Sequence, residues 1–340
     1  MVPAYRENIQ TSADSSALSS SVCRESRVEV LEGIVVRCHG GHYYVLSDGE
    51  ITDCGLRGRL KRDWLETDLV AIGDRVRWVP TEEGRGIIEY VFPRRTVLSR
   101  SAPPPRPRLV PSPFAPLEQQ TEQVIIANPD QVLAVFSVRN PTLNPFMVDR
   151  YLVACEAVQL PVVIVANKVD LLADEDDHDP LGLYRGIGYS VCYTSALTGE
   201  GLEELGALVR GKLSVLTGPS GVGKSSLLNA LWPHLNLKVG DVSEFHDRGR
   251  HITPVGQLLI PEPDTYIADT PGMRQFRFWD IDPEQLEAFF PEILARLGNC
   301  RFTPCTHTHE PDCAVREAVA RGEIAPIRYE SYLRMFEHGF

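Results

Sequence analysis

The octapeptide Gly218-Pro219-Ser220-Gly221-Val222-Gly223-Lys224-Ser225 has the spacing G-x-x-x-x-G-K-S. Backbone N–H groups of such a loop, and of a helix opening behind it, can surround anionic phosphates. Gly218, Gly221, Val222, Gly223, Lys224, Ser225 and Ser226 are the expected lining. Lys224 would reach β- and γ-phosphates and Ser225 would hold Mg²⁺. The base is chosen elsewhere, by Asn167-Lys168-Val169-Asp170. A carboxylate at Asp170 can accept two hydrogen bonds from guanine, whereas adenine would leave that charge unpaired at a cost of a few kcal/mol. Lys168 can lay its aliphatic stem over the base and Asn167 can brace the loop. Ser195 and Ala196, in Thr194-Ser195-Ala196, match a loop whose backbone N–H meets guanine O6.

Asp269-Thr270-Pro271-Gly272 follows the apolar run Tyr266-Ile267-Ala268. Asp269 at a strand end suits Mg²⁺ through water, and the Gly272 N–H suits a γ-phosphate. Between this motif and the phosphate loop lies Arg248-Gly249-Arg250-His251-Ile252-Thr253, in which Thr253 is the candidate switch threonine on Mg²⁺. A glutamine commonly orients water after Asp-x-x-Gly, but that place holds Met273. His251 is therefore the candidate to position or deprotonate the attacking water. The order is unusual: the base-reading motif precedes the phosphate loop.

Cys300, Cys305, His307 and Cys313 form a further constellation. Three thiolates and an imidazole at this spacing match a closed tetrahedral Zn²⁺ site, which leaves no open position and is structural. His309 is the rival nitrogen ligand.

The elements that must position these residues read as follows. From Val28 to about Phe92, short alternating apolar runs are broken by Gly and Asp-Gly turns, as in Gly33–Val36, His42–Leu46 and Asp74–Val79. This pattern suggests a small antiparallel barrel; an OB-type barrel is expected, and an SH3-like barrel would read almost the same. Tyr43 and Tyr44 suit either RNA contact or packing. Ala102–Pro116 is proline-rich and reads as a linker. An α/β alternation follows. Gln131–Val138, Pro161–Ala166, Val191–Thr194 and Leu213–Leu216 are expected strands of a doubly wound sheet, with helices over Pro145–Gln159 and Gly201–Val209. A helix near Pro283–Leu297 and two more after the cysteines end the chain.

The chain's 340 residues allow two or three domains. Its 43% hydrophobic and 24% charged residues are ordinary for a soluble protein, and no apolar run is long enough for a membrane span. A net charge of −12 argues against a general nucleic-acid binder. Basic residues nevertheless gather at Arg57, Arg59, Lys61 and Arg62, and at Arg94, Arg95, Arg100, Arg106 and Arg108, as a solvated linker or a strip for RNA. The eight cysteines do not form a disulfide framework; Cys23, Cys38, Cys54, Cys155 and Cys192 are scattered.

Together these residues resemble the RsgA family, circularly permuted GTPases of small ribosomal subunit biogenesis. Gly55–Leu60 and Gly73-Asp74-Arg75-Val76 in the barrel, the nucleotide motifs in reversed order, and Cys-Thr-His-Thr-His-Glu-Pro in the cysteine region carry the resemblance. The resemblance implies an N-terminal OB-type β-barrel, a circularly permuted P-loop GTPase α/β domain and a C-terminal helical zinc-binding domain. The expected layout is a disordered tail at 1–27, the barrel at 28–100, the linker at 101–118, the GTPase domain at 119–280 and the zinc domain at 281–340. It also implies GTP hydrolysis stimulated by the small subunit and its rRNA, hydrolysis promoting release, and a switch histidine that falls on His251. The chain is expected to be a cytoplasmic monomer with GTP or GDP, Mg²⁺ and one structural Zn²⁺. It departs at His251-Ile252-Thr253-Pro254, where the family resembles His-Thr-Thr-Thr. A rival reading is a zinc-containing RNA-binding module with GTP as a structural ligand; a metabolic kinase is disfavoured by the guanine-reading residues. The motif order further suggests that a shift at Gly272 passes along Phe276–Trp279 to Cys300–Cys313.

Overall fold

Alternating apolar residues between Leu31 and Val91 bury one side of each strand and leave the other to solvent, and the resulting sheet closes on itself. The structure is a computed structural model and describes residues 30–58, 70–101, 122–173, 179–238, 257–269 and 281–339. Strands β1 (Leu31–His39), β2 (His42–Ser47), β3 (Glu50–Leu56), β4 (Arg75–Pro80) and β5 (Gly86–Val91) form a closed barrel in the order β1-β2-β3-β5-β4. The parallel β3–β5 pairing marks the barrel as OB-type rather than SH3-like. Val35, Val45, Cys54, Val76, Trp78 and Ile88 fill it. Tyr43 packs against this core, and Tyr44 packs against the neighbouring one with the Arg37 guanidinium 3.6 Å above its ring.

Strands β6 (Val97–Ser101) and β7 (Glu122–Ala127) pair antiparallel, Leu98 opposite Ile126, so the two ends of the proline-rich stretch return side by side. The barrel is joined to this ribbon by backbone bonds, Gly73 N–H to Val35 O at 2.8 Å and Ala127 N–H to Ile72 O at 2.8 Å. Arg94 is committed here rather than to a linker or an RNA strip. Its guanidinium grips the fully buried Asp74 through two bonds of 2.8 Å. Arg95 pairs with Asp130 at 3.2 Å, and Arg57 with Glu89.

The main sheet has strands β8 (Gln131–Ser137), β9 (Val162–Asn167), β10 (Ser190–Thr194), β11 (Leu213–Thr217), β12 (Leu258–Glu262) and β13 (Thr265–Asp269) in the order β10-β9-β8-β11-β13-β12. All neighbours are parallel except β12 and β13. β8, β9 and β11 are buried along their whole length, which explains their unbroken Val, Ile and Leu runs. Helices α1 (Pro145–Ala157), α2 (Gly182–Ile187), α3 (Leu202–Val209) and α4 (Lys224–Leu231) cover the faces. Asn144 caps α1 by accepting from Met147 N, with Pro145 in its first turn.

After the sheet, the expected helix over Pro283–Leu297 is broken in two. A 3₁₀ helix runs Pro283–Phe289 and α5 runs Pro291–Leu294. Pro291 brings no N–H and pushes Phe290 to an extended φ of −114° and ψ of 99°, so one continuous helix is impossible. Helices α6 (Ala314–Ala320) and α7 (Pro326–His338) complete the chain. Among the described residues no helix is long and apolar enough to cross a membrane. The tail at 1–27 and the whole proline-rich stretch Ala102–Pro116 lie outside the described residues.

Candidate nucleotide site and metal centre

In the main sheet the chain leaves β8 towards β9 and β10, then returns to place β11 on the other side of β8. This reversal makes the carboxyl ends of β8 and β11 a topological switch point, where open α/β sheets bind ligands. The phosphate loop grows from β11. Gly218 has φ +143°, and a Cβ there would stand 2.1 Å from Val135 O. Gly223, with φ +94°, comes just before Lys224 opens α4; a Cβ there would stand 2.6 Å from Asn167 Nδ2. No residue but glycine fits either position. The Lys224 ammonium donates to Gly218 O at 2.9 Å and Pro219 O at 3.0 Å. Val222 and Ser225 are buried; Ser226 is half-buried.

The base-reading loop grows from β9 and is tied to the phosphate loop. Asn167, 1% exposed, donates through Nδ2 to Val222 O at 2.9 Å and accepts from Thr194 Oγ1 at 3.3 Å. Lys168 adopts φ 66° and ψ 37° and donates to Gly221 O at 2.6 Å and to Asn140 O. Asp170, in the 3₁₀ turn Val169–Leu171, accepts from the Ser195 hydroxyl. That hydroxyl in turn accepts from Leu197 N at 3.2 Å and Thr198 N at 3.1 Å, while Ala196 packs against the core beneath α4. Asn167, Lys168, Asp170, Ser195, Gly221, Val222 and Gly223 thus converge on one end of the sheet. Asn140, on the β8–α1 loop, was not among the expected residues. It acts through a backbone carbonyl; its only trace in the sequence is an Asn-Pro turn signal.

Asp269 ends β13 and lies in register with Leu216 of β11, one strand from the phosphate loop. His251, Thr253 and Gly272 lie outside the described residues, as do Arg59, Lys61, Arg62, Arg106, Arg108 and Phe276–Trp279.

In the C-terminal part, the ligand atoms of Cys300, Cys305, His307 and Cys313 all lie within 4.8 Å of one another. Tetrahedral bonds of ordinary Zn–S and Zn–N length separate two sulfurs by about 3.8 Å and a sulfur from a nitrogen by about 3.6 Å. Cys300 Sγ and Cys313 Sγ are 3.8 Å apart, and His307 Nδ1 is 3.6 Å and 3.3 Å from them. The donor set therefore fits Zn²⁺. Burial, with the thiols of Cys313 and Cys300 alongside, pushes the Cys305 thiol up to about 12, a protonation state that a bound divalent cation reverses. His309 points elsewhere, Nδ1 resting 2.8 Å from Thr308 Oγ1. Glu310 ties the knuckle by accepting from Thr306 N at 2.8 Å and Thr308 N at 3.1 Å. Burial opposes its charge, but bonds from the Thr306 hydroxyl and from the amides of Thr306, Glu310 and His309 prevail and lower its pKa to about 2.

This C-terminal unit sits on α1. Val153 is buried with Leu286, Phe290, Ile293 and Tyr332. Fully buried Arg328 of α7 donates to Asp149 of α1 at 2.7 Å and to Glu292 at 2.6 Å and 3.2 Å, with its guanidinium 4.6 Å from the Phe290 ring. Burial pushes the Asp149 carboxyl up against the pull of Arg328.

Fold and site together define a P-loop nucleotide-binding protein wired in circularly permuted order, with a barrel before the permuted domain and a Cys/His domain after it. The family model for the RsgA GTPase matches residues 111–279, and that for the RsgA N-terminal domain matches residues 32–88. The chain is 42% identical over 303 residues to the small ribosomal subunit biogenesis GTPase RsgA of Moorella thermoacetica, covering 89% of this chain and 95% of that one. It is 40% identical over 310 residues to the protein of that name in Thermotoga maritima, with the same coverages of 89% and 95%. The crystal structure of YjeQ from Thermotoga maritima matches with a TM-score of 0.70 at 36% identity, over 92% of this chain and 99% of that one. The crystal structure of YloQ, a circularly permuted GTPase, matches with a TM-score of 0.69 at 29% identity, over 93% of this chain and 96% of that one. The chain belongs to the RsgA family of GTPases.

Proposed function

We propose that the protein binds GTP across the carboxyl ends of β8, β9, β11 and β13, hydrolyses its β–γ bond, and uses that step to time its release from the maturing small ribosomal subunit. The observation that carries the nucleotide reading is the pair of bonds from Asn167 and Lys168 to the phosphate-loop carbonyls of Val222 and Gly221. They hold a base reader and a phosphate cradle in one rigid unit.

In this reading the Asp170 carboxylate accepts from guanine N1–H and the 2-amino group, with Lys168 stacked along the base. Backbone N–H groups at Ser195 and Ala196 face O6. Gly218, Gly221, Val222, Gly223 and Ser226 surround the phosphates, and phosphate oxygens take over the Lys224 ammonium from its loop carbonyls. Ser225, Thr253 and Asp269 hold Mg²⁺, which supplies charge neutralisation between the β- and γ-phosphates. Gly272 senses the γ-phosphate, and His251 positions or deprotonates the attacking water. Cys300, Cys305, His307 and Cys313 hold one structural Zn²⁺.

The partner is the small subunit and its rRNA, met in the cytoplasm by a monomer. The small-subunit part of that assignment is supported by the name carried by relatives about 40% identical to this chain. Co-sedimentation tests it. With a non-hydrolysable GTP analogue the protein should pellet with purified small subunits, and with GDP it should remain largely in the supernatant. Failure to pellet in either state, with nucleotide binding intact, contradicts the reading.

A further inference from the structure

His307 meets the sulfurs through one ring nitrogen. Nδ1 lies 3.3 Å from Cys313 Sγ and 3.6 Å from Cys300 Sγ, while Nε2 lies 2.9 Å from Oε2 of Glu287. The imidazole is 2% exposed, so water does not compete for either nitrogen. A neutral imidazole that donates at one nitrogen presents a lone pair at the other. A carboxylate at Nε2 therefore selects the tautomer whose Nδ1 lone pair faces the thiols. Glu287 does not come from the cysteine loop. It belongs to the 3₁₀ helix Pro283–Phe289, the first described element after the end of β13. Asp282 caps this helix by accepting from Glu284 N at 3.0 Å, and Leu286 is buried in the core shared with Val153 of α1.

Two further bonds reach the same knuckle from α7. The Tyr329 hydroxyl donates to His307 O at 2.6 Å, and the Tyr332 hydroxyl to Thr306 O at 2.9 Å. Both hold backbone carbonyls. Among the described residues outside the cysteine set, Glu287 is the polar side chain that reaches the ring nitrogens.

We propose that Glu287 is the orienting partner of the metal centre, holding His307 as an Nδ1 ligand, and that this bond lets the bound metal clamp the Pro283–Phe289 segment to the cysteine loop. The proposal rests on the zinc reading above. It makes the metal more than a staple of its own loop, because the segment it grips is the first described one after the nucleotide-binding sheet.

The full-length protein, loaded with Zn²⁺, tests this by transfer of the metal to a chromogenic chelator, by the visible bands of the Co²⁺-substituted form, and by hydrogen exchange of the 283–289 amides. Glu287→Ala should lose its metal about 10–100-fold faster than the parent and shift the Co²⁺ bands. Glu287→Gln keeps an accepting oxygen without the charge and should fall between the two. Stripping metal from the parent should speed exchange in 283–289, and loaded Glu287→Ala should already show the fast rate. Equal metal release by all three proteins overturns the proposal, as does exchange in 283–289 that ignores the metal. A parent that retains neither Zn²⁺ nor Co²⁺ overturns the zinc reading itself.

Discussion

The Asp170 carboxylate is held by the Ser195 hydroxyl, which also gathers the amides of Leu197 and Thr198, so the group proposed to read the base is held in place before any ligand arrives. Asp170→Ala removes the acceptor for two guanine donors and should cut the preference for GTP over ATP by on the order of 100-fold. Competition of labelled GTP by unlabelled ATP measures it, and an unchanged ratio would take Asp170 out of base recognition. The scattered thiols make a separate prediction. Burial pushes Cys54, Cys155 and Cys192 each up to about 12. An acid whose pKa is raised stays protonated at higher pH, so at pH 8 only on the order of one in 10⁴ is thiolate. Iodoacetamide on the native protein at pH 8 should spare these three, with peptide mass spectrometry as the readout. The candidate nucleotide residues could be proposed from the chain because each motif is contiguous and its chemistry is local. Asn140 and Glu287 could not. The first works through a carbonyl that every residue has, and the second through a carboxylate like those of the neighbouring Glu284 and Glu292.

At the scale of elements, the phosphate loop and the base-reading loop pack so closely that Gly223 has no room for a side chain. Gly223→Ala would drive a Cβ into the Asn167 amide, 2.6 Å away, at a φ of +94°. It should weaken GTP and GDP binding alike by at least about tenfold, measured by fluorescent-nucleotide titration, because the cradle and its brace are displaced together. The seat of the C-terminal unit on α1 depends on a buried charge. Asp149→Ala leaves Arg328 short of a partner in the interior and should cost about 3–5 kcal/mol, whereas replacing Asp149, Glu292 and Arg328 together by apolar residues should cost less. Urea unfolding of the variants decides the order. Strand and helix periods showed the sheet and the barrel in the sequence. The Arg328–Asp149 pair stayed hidden because its members stand 179 residues apart. Arg94 read as one more basic residue until Asp74, itself buried, was found beneath it.

The whole molecule places its parts around the permuted sheet in a definite way. Putting β8, β9 and β10 ahead of the phosphate loop leaves the sheet order intact. It also places α1, the seat of the C-terminal unit, directly behind the β8 loop whose Asn140 carbonyl receives Lys168. The motif order alone suggested a route from Gly272 along Phe276–Trp279, residues that lie outside the described ones. The described contacts show an attachment of their own, from β8 and its loop through α1 to Arg328. The barrel is fastened through Gly73 and Ala127, and its Val36 shares a core with Val148 and Leu152 of α1. Two units attached to the nucleotide-binding sheet suit a protein that grips a large partner and lets go on hydrolysis. The most direct measurement is steady-state GTP turnover by the full chain, with and without purified small ribosomal subunits. The account predicts slow turnover alone, marked stimulation by the subunit, and loss of that stimulation in His251→Ala while GTP still binds. Turnover that ignores the subunit, in protein that binds GTP normally, would contradict it.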